Sequence, residues 1–561
     1  MKLEVIRTDV LVVGSGGAGA RAAIEASDAG ARVMMAVKGV FGESGATAYP
    51  VADRAGLSVA NGWADPGDNP EAYYRDILAA SRGTCSPDLA RILAEESISV
   101  VPDLERFGVQ FERNARGEYV MTQGCFSSRP RSVKTVGHAR PIVQALREQV
   151  RCRPIDVREH MMAVDLVAPT GRCKGALLMD ELGNSSVVHA KAVILATGGA
   201  GQLFSRNLNP PDVTGDGYAM AYRAGAALVN MEFMQYGFST AYPNWNLFGY
   251  MYWPLRPRLT NGRGEEFMGQ YIPSGLTLDG CMAQHSRHYP FTTEDTSRYL
   301  EMGVQKEITA GRGTSHDAVY ADLTHVGSRS PFAPDHPVSK LWPRTRQYLI
   351  ERGLDVDNKP VEIAPFAHAF NGGLLIDENG ESSIPGLFAV GEVASGMHGA
   401  DRLGGAMLVA CQVFGRRAGV RAASVPGARL SGADQDVARE SAAFVSKLSD
   451  THGTVEPGSV KKELQDAASK DLFLVRSARS LETFLGKVEG LESRSVSKVQ
   501  ASLGTHLWAA LEVRNLLLVG RIVAEAALMR KETRGSHCRE DFPEKVPELE
   551  KMLTIRRDAV R

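Results

Sequence analysis

The residues whose spacing carries chemistry begin at position 14, in the run Gly14-Ser15-Gly16-Gly17-Ala18-Gly19. An apolar stretch, Val10 to Val13, leads into it and an Ala-rich stretch follows. Gly14 permits a tight turn, Gly16 lets backbone approach a pyrophosphate, and Gly19 lets the next helix pack close to the sheet. The first N–H groups of that helix, together with its positive end, favour phosphate oxygens. The pattern points to dinucleotide binding, against the alternative of an ordinary strand–helix turn. Gly42-Glu43-Ser44-Gly45-Ala46-Thr47-Ala48 is a loop of small residues. Such backbone can lie against a flat ring or a pyrophosphate, or can be plain surface loop. Ala196-Thr197-Gly198-Gly199-Ala200-Gly201 is a second glycine turn, and Val213-Thr214-Gly215-Asp216-Gly217 a third.

These turns need a frame, and the apolar pattern supplies one. Strands are predicted at Val10–Val13 and over 31–37, with a helix between them. In a dinucleotide fold the end of the second strand carries an acid for the adenosine ribose. Here Val37 and Lys38 stand there, which speaks against NAD and leaves FAD open. Residues 70–107 read as helical, 118–135 as irregular (with Arg129 and Arg131), and 138–200 as alternating strands. From about 240 to 350 the pattern changes and the segment looks inserted. Its stretch 242–257 is rich in aromatics and proline, among them Trp245, Phe248 and Trp253. That stretch is either an apolar pocket or packing against the host domain. The α/β pattern resumes before Gly372, and 435–561 reads as mostly helical, a bundle covering one side of the nucleotide domain.

Composition narrows the class. The 561 residues are 43% apolar and 23% charged, with 57 glycines, as in a soluble α/β protein of two to four domains. A net charge of −1 argues against a nucleic-acid partner and a polybasic membrane surface. Seven scattered cysteines with no Cys-x-x-Cys exclude the usual iron–sulfur spacings, give no metal-ligand set and fit a reducing cytoplasm. The first strand starts almost at once, so no signal peptide is expected. No apolar run reaches the roughly 18 residues of a membrane span.

Taken in order, GSGGAG (14–19), ATGGAG (196–201), TGDG (214–217), MEFMQ (231–235), GLFAVGE (386–392), HGADRLGG (398–405) and KETRGSHCREDFP (531–543) resemble the flavoprotein subunit family of succinate dehydrogenase and fumarate reductase. That family includes L-aspartate oxidase and the α subunit of adenylylsulfate reductase. The resemblance covers almost the whole chain. It implies an α/β fold: an FAD-binding Rossmann-like domain in two parts (1–239 and 351–432), an inserted α+β capping domain (240–350) and a C-terminal helical domain (433–561). It implies FAD contacts at Gly14, Ser15, Gly16, Gly17, Ala18, Gly19, Val37, Lys38, Ser44, Gly45, Ala46, Thr47, Ala196, Thr197, Gly198, Asp216, Glu392, Arg402, Gly405, Ala406 and Leu408. Glu392 would bond a cofactor hydroxyl, and the helix after Gly404 would point its positive end at the flavin pyrimidine edge.

The chain also departs from that family. The histidine that attaches FAD covalently in many members falls near Gly45, so non-covalent FAD is expected. The His-Pro after the MEF-x-Q stretch is absent, and Gly237 stands in place of the histidine. The region matching the family's Arg-Gly-Glu acid relay reads Trp253-Pro254-Leu255-Arg256-Pro257-Arg258 instead. By match, His368 and Arg402 survive as groups that would hold a substrate carboxylate, the arginine through its planar fork. Arg298 falls near the family's proton-donating arginine, with Arg256 and Arg258 as further candidates. The reading is an FAD-dependent oxidoreductase moving hydride between flavin N5 and a C–C or C–N bond beside a carboxylate. The substrate is expected to be something other than plain succinate or fumarate. One alternative is an adenylylsulfate-reductase-like enzyme, with Trp245 or Trp253 stacking on a base. Another is an electron-transfer component of a complex. Electrons would come from an iron–sulfur protein, another carrier or oxygen, and an oligomer is open.

Overall fold

Val10–Val13 are four consecutive apolar residues buried on both faces, as a central strand of a parallel sheet requires. In the computed structural model they sit mid-sheet, in the order Leu387–Ala389, Ala192–Leu195, Val10–Val13, Val33–Ala36, Ile155–Arg158, all parallel. The structure describes residues 4–49, 55–328, 331–333, 336–427, 429–449, 453–499, 501 and 505–557. The edge strand Leu387–Ala389 reaches the sheet only after the inserted segment, pairing Val193 with Leu387.

Helix Gly17–Asp28 lies against helix Ala406–Ala423, and small residues set how close they come. A Cβ on Gly419 would fall 2.4 Å from Ala22 O, and one on Gly415 would fall 2.9 Å from Ala18 O. One helix from each half of the nucleotide domain is thereby locked to the other.

A second, mainly antiparallel sheet orders Asn246–Leu247, Met234–Tyr242, Val361–Phe370, Val319–Asp322 and Arg258–Thr260. Its two long strands pair Gln235 with Ala369, beside a bulge at Gln235/Tyr236. The insert shares a second core with the two long strands that flank it, around Phe238, Leu300, Val319, Ile363 and Phe366. Trp253 is fully buried there against Phe238, Phe248 and His285. The aromatic stretch is thus mostly packing, though Leu247 also lines the cavity described below.

Two expectations change. The segment 118–135 contributes to a small antiparallel sheet of Gly56–Ser58, Ser132–Lys134 and Met121–Thr122. It is pinned by Arg131, wholly buried and paired at 2.8 Å with both Asp68 and Asp76. The C-terminal part is helical only to Met529, through Gly432–Ser449, Pro457–Asp471, Ala478–Lys498 and Thr505–Met529. Beyond that, a buried charge network takes the chain away from helix. Arg530 pairs with Glu232 at 2.5 Å and Glu532 at 2.8 Å, Arg534 pairs with Glu532 at 2.8 Å, and Arg530 also donates to Leu549 O and Lys551 O. The chain ends its described course as a strand, Thr554–Ile555, on Leu228–Val229. All seven cysteines are free thiols, and no described helix is long and apolar enough to cross a membrane.

Candidate functional site

A cavity of about 420 Å³ opens at the carboxyl edge of the parallel sheet, where ligands of open α/β sheets bind. Gly14, at φ 104°, makes the turn that only glycine makes there without strain, since a Cβ would lie 2.3 Å from Ala196 O. Two helices begin at the wall, Gly17–Asp28 and Ala406–Ala423, and neither has a side-chain cap. Other first-turn N–H groups are left for a ligand, although Gly17 N–H bonds Thr47 Oγ1 at 3.2 Å and Ala406 N–H bonds Leu403 O at 3.2 Å. Two uncapped helix starts around one glycine-floored crevice fit a cofactor that carries both a pyrophosphate and a ring that gains negative charge.

Most of the predicted set lines this cavity: Gly14, Ser15, Gly16, Gly17, Ala18, Val37, Lys38, Ser44, Gly45, Ala46, Thr47, Ala196, Thr197, Gly198, Asp216, His368, Glu392, Arg402, Gly405 and Leu408. Three do not. Gly19 serves helix–turn packing, because a Cβ there would meet Gly14 O at 2.1 Å. Ala406 is buried in the first turn of its helix. Arg298 is the third: its guanidinium is turned to Thr293 O at 2.8 Å and the Tyr299 hydroxyl at 3.1 Å. Arg256 and Arg258 are largely exposed and pair with Asp279 and Glu266. None of these three arginines stands in the cavity wall.

Lys38 lines the cavity but spends its charge on protein. Its ammonium bonds Thr214 Oγ1, Asp216 Oδ2 and Glu512 Oε1, each at 2.8 Å, and the last reaches it from the C-terminal helix Thr505–Met529. Asp216 is likewise engaged, accepting from Asn515 at 2.8 Å through its other oxygen. The second-strand position thus bolts the C-terminal helices to the nucleotide domain.

At the other end, Gln235, His368, Glu392, Arg402, Cys125 and Tyr289 share the wall. Arg402 is 8% exposed, donates to Leu403 O at 3.3 Å, and leaves Nε without a partner among the described residues. Burial pulls its proton affinity below the ordinary value. Its neighbour Asp401 is bonded elsewhere, to Arg82 at 3.3 Å and the Thr292 hydroxyl at 2.8 Å. Gln235 holds the Arg402 backbone through a 3.0 Å bond to its carbonyl. Burial, then the Arg402 charge, pushes His368 down to about 3, so the imidazole is neutral. Burial raises Glu392 to about 7, against a 2.9 Å bond from Phe370 N–H and the Arg402 charge.

Gln235 was visible in the MEFMQ run without being assigned a contact. Cys125 and Tyr289 carry no local signal, because one comes from an irregular loop and the other from the insert.

A parallel sheet with a glycine-floored crevice, closed by a second segment bringing Glu392 and Arg402, defines a dinucleotide-binding flavoprotein. The FAD binding domain profile matches residues 9–408, and the fumarate reductase flavoprotein C-terminal profile matches 461–559. The chain is 33% identical over 571 aligned residues to a component chain of the fumarate reductase (CoM/CoB) of Methanothermobacter marburgensis, covering 99% of this chain and 98% of that one. It is 32% identical to L-aspartate oxidase of Streptomyces coelicolor, covering 96% and 90%. The E. coli quinol fumarate reductase FrdA superposes with a TM-score of 0.84 at 26% identity, covering 99% and 95%. The chain belongs to the succinate dehydrogenase and fumarate reductase flavoprotein family and is an FAD-dependent oxidoreductase.

Proposed function

We propose that this enzyme oxidises or reduces a small carboxylate-bearing substrate at the C–C or C–N bond beside the carboxylate, using non-covalently held FAD. One observation carries this: Arg402 is a buried guanidinium at the cavity wall with no ion pair among the described residues. A carboxylate taking two bonds from its fork would supply the missing counter-charge. When bound, FAD accepts or supplies hydride at N5. The glycine floor from Gly14 to Gly17 would hold its pyrophosphate, and Glu392 a ribose hydroxyl. The helix start after Gly405 would face the negative charge of the reduced ring. Arg402 and neutral His368 would orient the acid and stabilise enolate-like charge. The loop Ser44–Thr47 offers no histidine for a covalent link.

Electrons pass, in this proposal, to or from an iron–sulfur protein or another carrier in the cytoplasm. The two tryptophans named for the adenylylsulfate-type alternative do not support it, since Trp253 is in the second core and Trp245 is 46% exposed, both off the described cavity wall.

The test is rapid mixing. Enzyme reduced without oxygen is mixed with fumarate, larger unsaturated acids, imino acids or oxygen while flavin absorbance is followed. Fast reoxidation by one unsaturated acid, lost in Arg402→Ala, is the expected result. Reoxidation by oxygen alone indicates an oxidase, and no response to any acid refutes the proposal.

A further inference from the structure

We propose that the Tyr289 hydroxyl is a substrate-contacting group that fills the volume of a missing side chain at Gly237 and selects acids bearing one carboxylate and one neutral carbonyl-type oxygen. This deepens the carboxylate proposal and rests on it.

Gly237 lies within the long buried strand Met234–Tyr242, opposite Phe366. A glycine inside a strand weakens it and marks a place where something approaches closely. Here that is the Tyr289 ring. A Cβ at 237 would lie 2.4 Å from Cζ and 2.7 Å from the hydroxyl oxygen. The tyrosine belongs to the connection between helices Leu278–His285 and Arg298–Thr309. Its N–H bonds Cys125 Sγ at 3.0 Å, and its ring stands edge-on to His368, 5.8 Å between centroids at 88°. The phenol is thus fixed by the backbone on one side and the bare strand on the other.

Its hydroxyl has no partner among the described residues. Buried tyrosine hydroxyls usually find one, so the group is set to meet a ligand. Gln235 Oε1 and Arg402 Nε on the same wall are also unpartnered. The charge count decides the substrate class. The described wall carries two cationic side chains, Lys38 and Arg402, and Lys38 is already paired with Asp216 and Glu512. Burial keeps His368 neutral and the phenol protonated. Of the described lysines and arginines on the wall, Arg402 is the one left to meet a carboxylate. A second carboxylate would face a neutral O–H, which bonds a carbonyl oxygen without the cost of stripping water from another charge.

The test compares fumarate with fumaramate, its near-isosteric monoamide, by titrating the holoenzyme and reading the flavin difference spectrum. Fumaramate is expected to bind at least about 10-fold more tightly, and Tyr289→Phe to weaken fumaramate by about 10- to 100-fold. Gly237→Ala should match that loss by pushing the ring aside, and it repeats the comparison with the phenol present if Tyr289→Phe fails to retain FAD. Equal or tighter binding of fumarate overturns the proposal, as does an unchanged fumaramate affinity in either variant. Arg402→Met separates the layers. If it abolishes binding of both acids while Tyr289→Phe changes nothing, only the tyrosine role falls. If it binds both normally, or the wild type binds neither, the carboxylate proposal falls with it.

Discussion

Replacing Arg402 by methionine should raise the stability of the substrate-free protein and destroy its affinity for acids. Arg402 has five N–H donors, of which one makes a bond, at 3.3 Å, and Nε makes none among the described residues. A buried guanidinium in that state carries an uncompensated desolvation cost, and relieving it should gain about 1–3 kcal/mol. In a chain of this size that is a rise of a few degrees in melting temperature, roughly 2–4 °C per kcal/mol at most. The loss on the other side is larger. Two charge-assisted bonds to a carboxylate are worth about 1.5–3 kcal/mol each, so affinity should fall about 10²- to 10⁴-fold. Flavin-release melting without substrate, paired with difference-spectrum titration, reads both signs. If Arg402 were instead a structural strut, Arg402→Met would melt lower and bind acids normally, which would refute the reasoning.

Lys38→Met should strand Asp216 and Glu512 and cost about 3–5 kcal/mol in urea unfolding, with Lys38→Met/Glu512→Gln recovering part of it. Glu392 gives a pH signature. Burial raises its carboxyl from 4.5 to about 7 in the folded chain, so the native state holds the proton longer than the unfolded chain does. Its stabilising contribution in cofactor-free protein is complete below pH 4.5 and is lost as pH rises through about 7. Denaturant melts across that window should flatten in Glu392→Gln, and an unchanged slope would contradict the assignment.

The sequence was most legible where chemistry depends on backbone. Gly14, Gly198 and Gly405 sit at turns whose positive φ values require glycine, so motif and geometry coincide. Arg402 and His368 could be placed by matching motifs, but the lack of an ion pair to Arg402 among the described residues could not. That depends on Asp401 turning to Arg82, far off in sequence. Lys38 does line the cavity, but strand position alone says nothing of Glu512, which arrives from the last long helix to take its charge. Arg298 stands off the cavity wall because its side chain folds back from the helix start to Thr293, which sequence position does not show. The tail after Met529 has helix-forming composition, yet buried pairs among Arg530, Glu232 and Glu532 outweigh propensity.

The edge strand Leu387–Ala389 also has a bearing on how the protein is made. A nascent chain that has reached Leu195 holds both partners of the Ala192–Leu195 and Val10–Val13 pair but lacks Leu387–Ala389, the partner of the other edge. That edge stays bare while the whole insert is synthesised, and Glu392, Arg402 and the second uncapped helix emerge later still. FAD therefore has no complete seat on any nascent chain that stops short of these residues. On that order, cofactor loading would fall to late or released chains, and truncated products would expose a sheet edge suited to aggregation or chaperone capture.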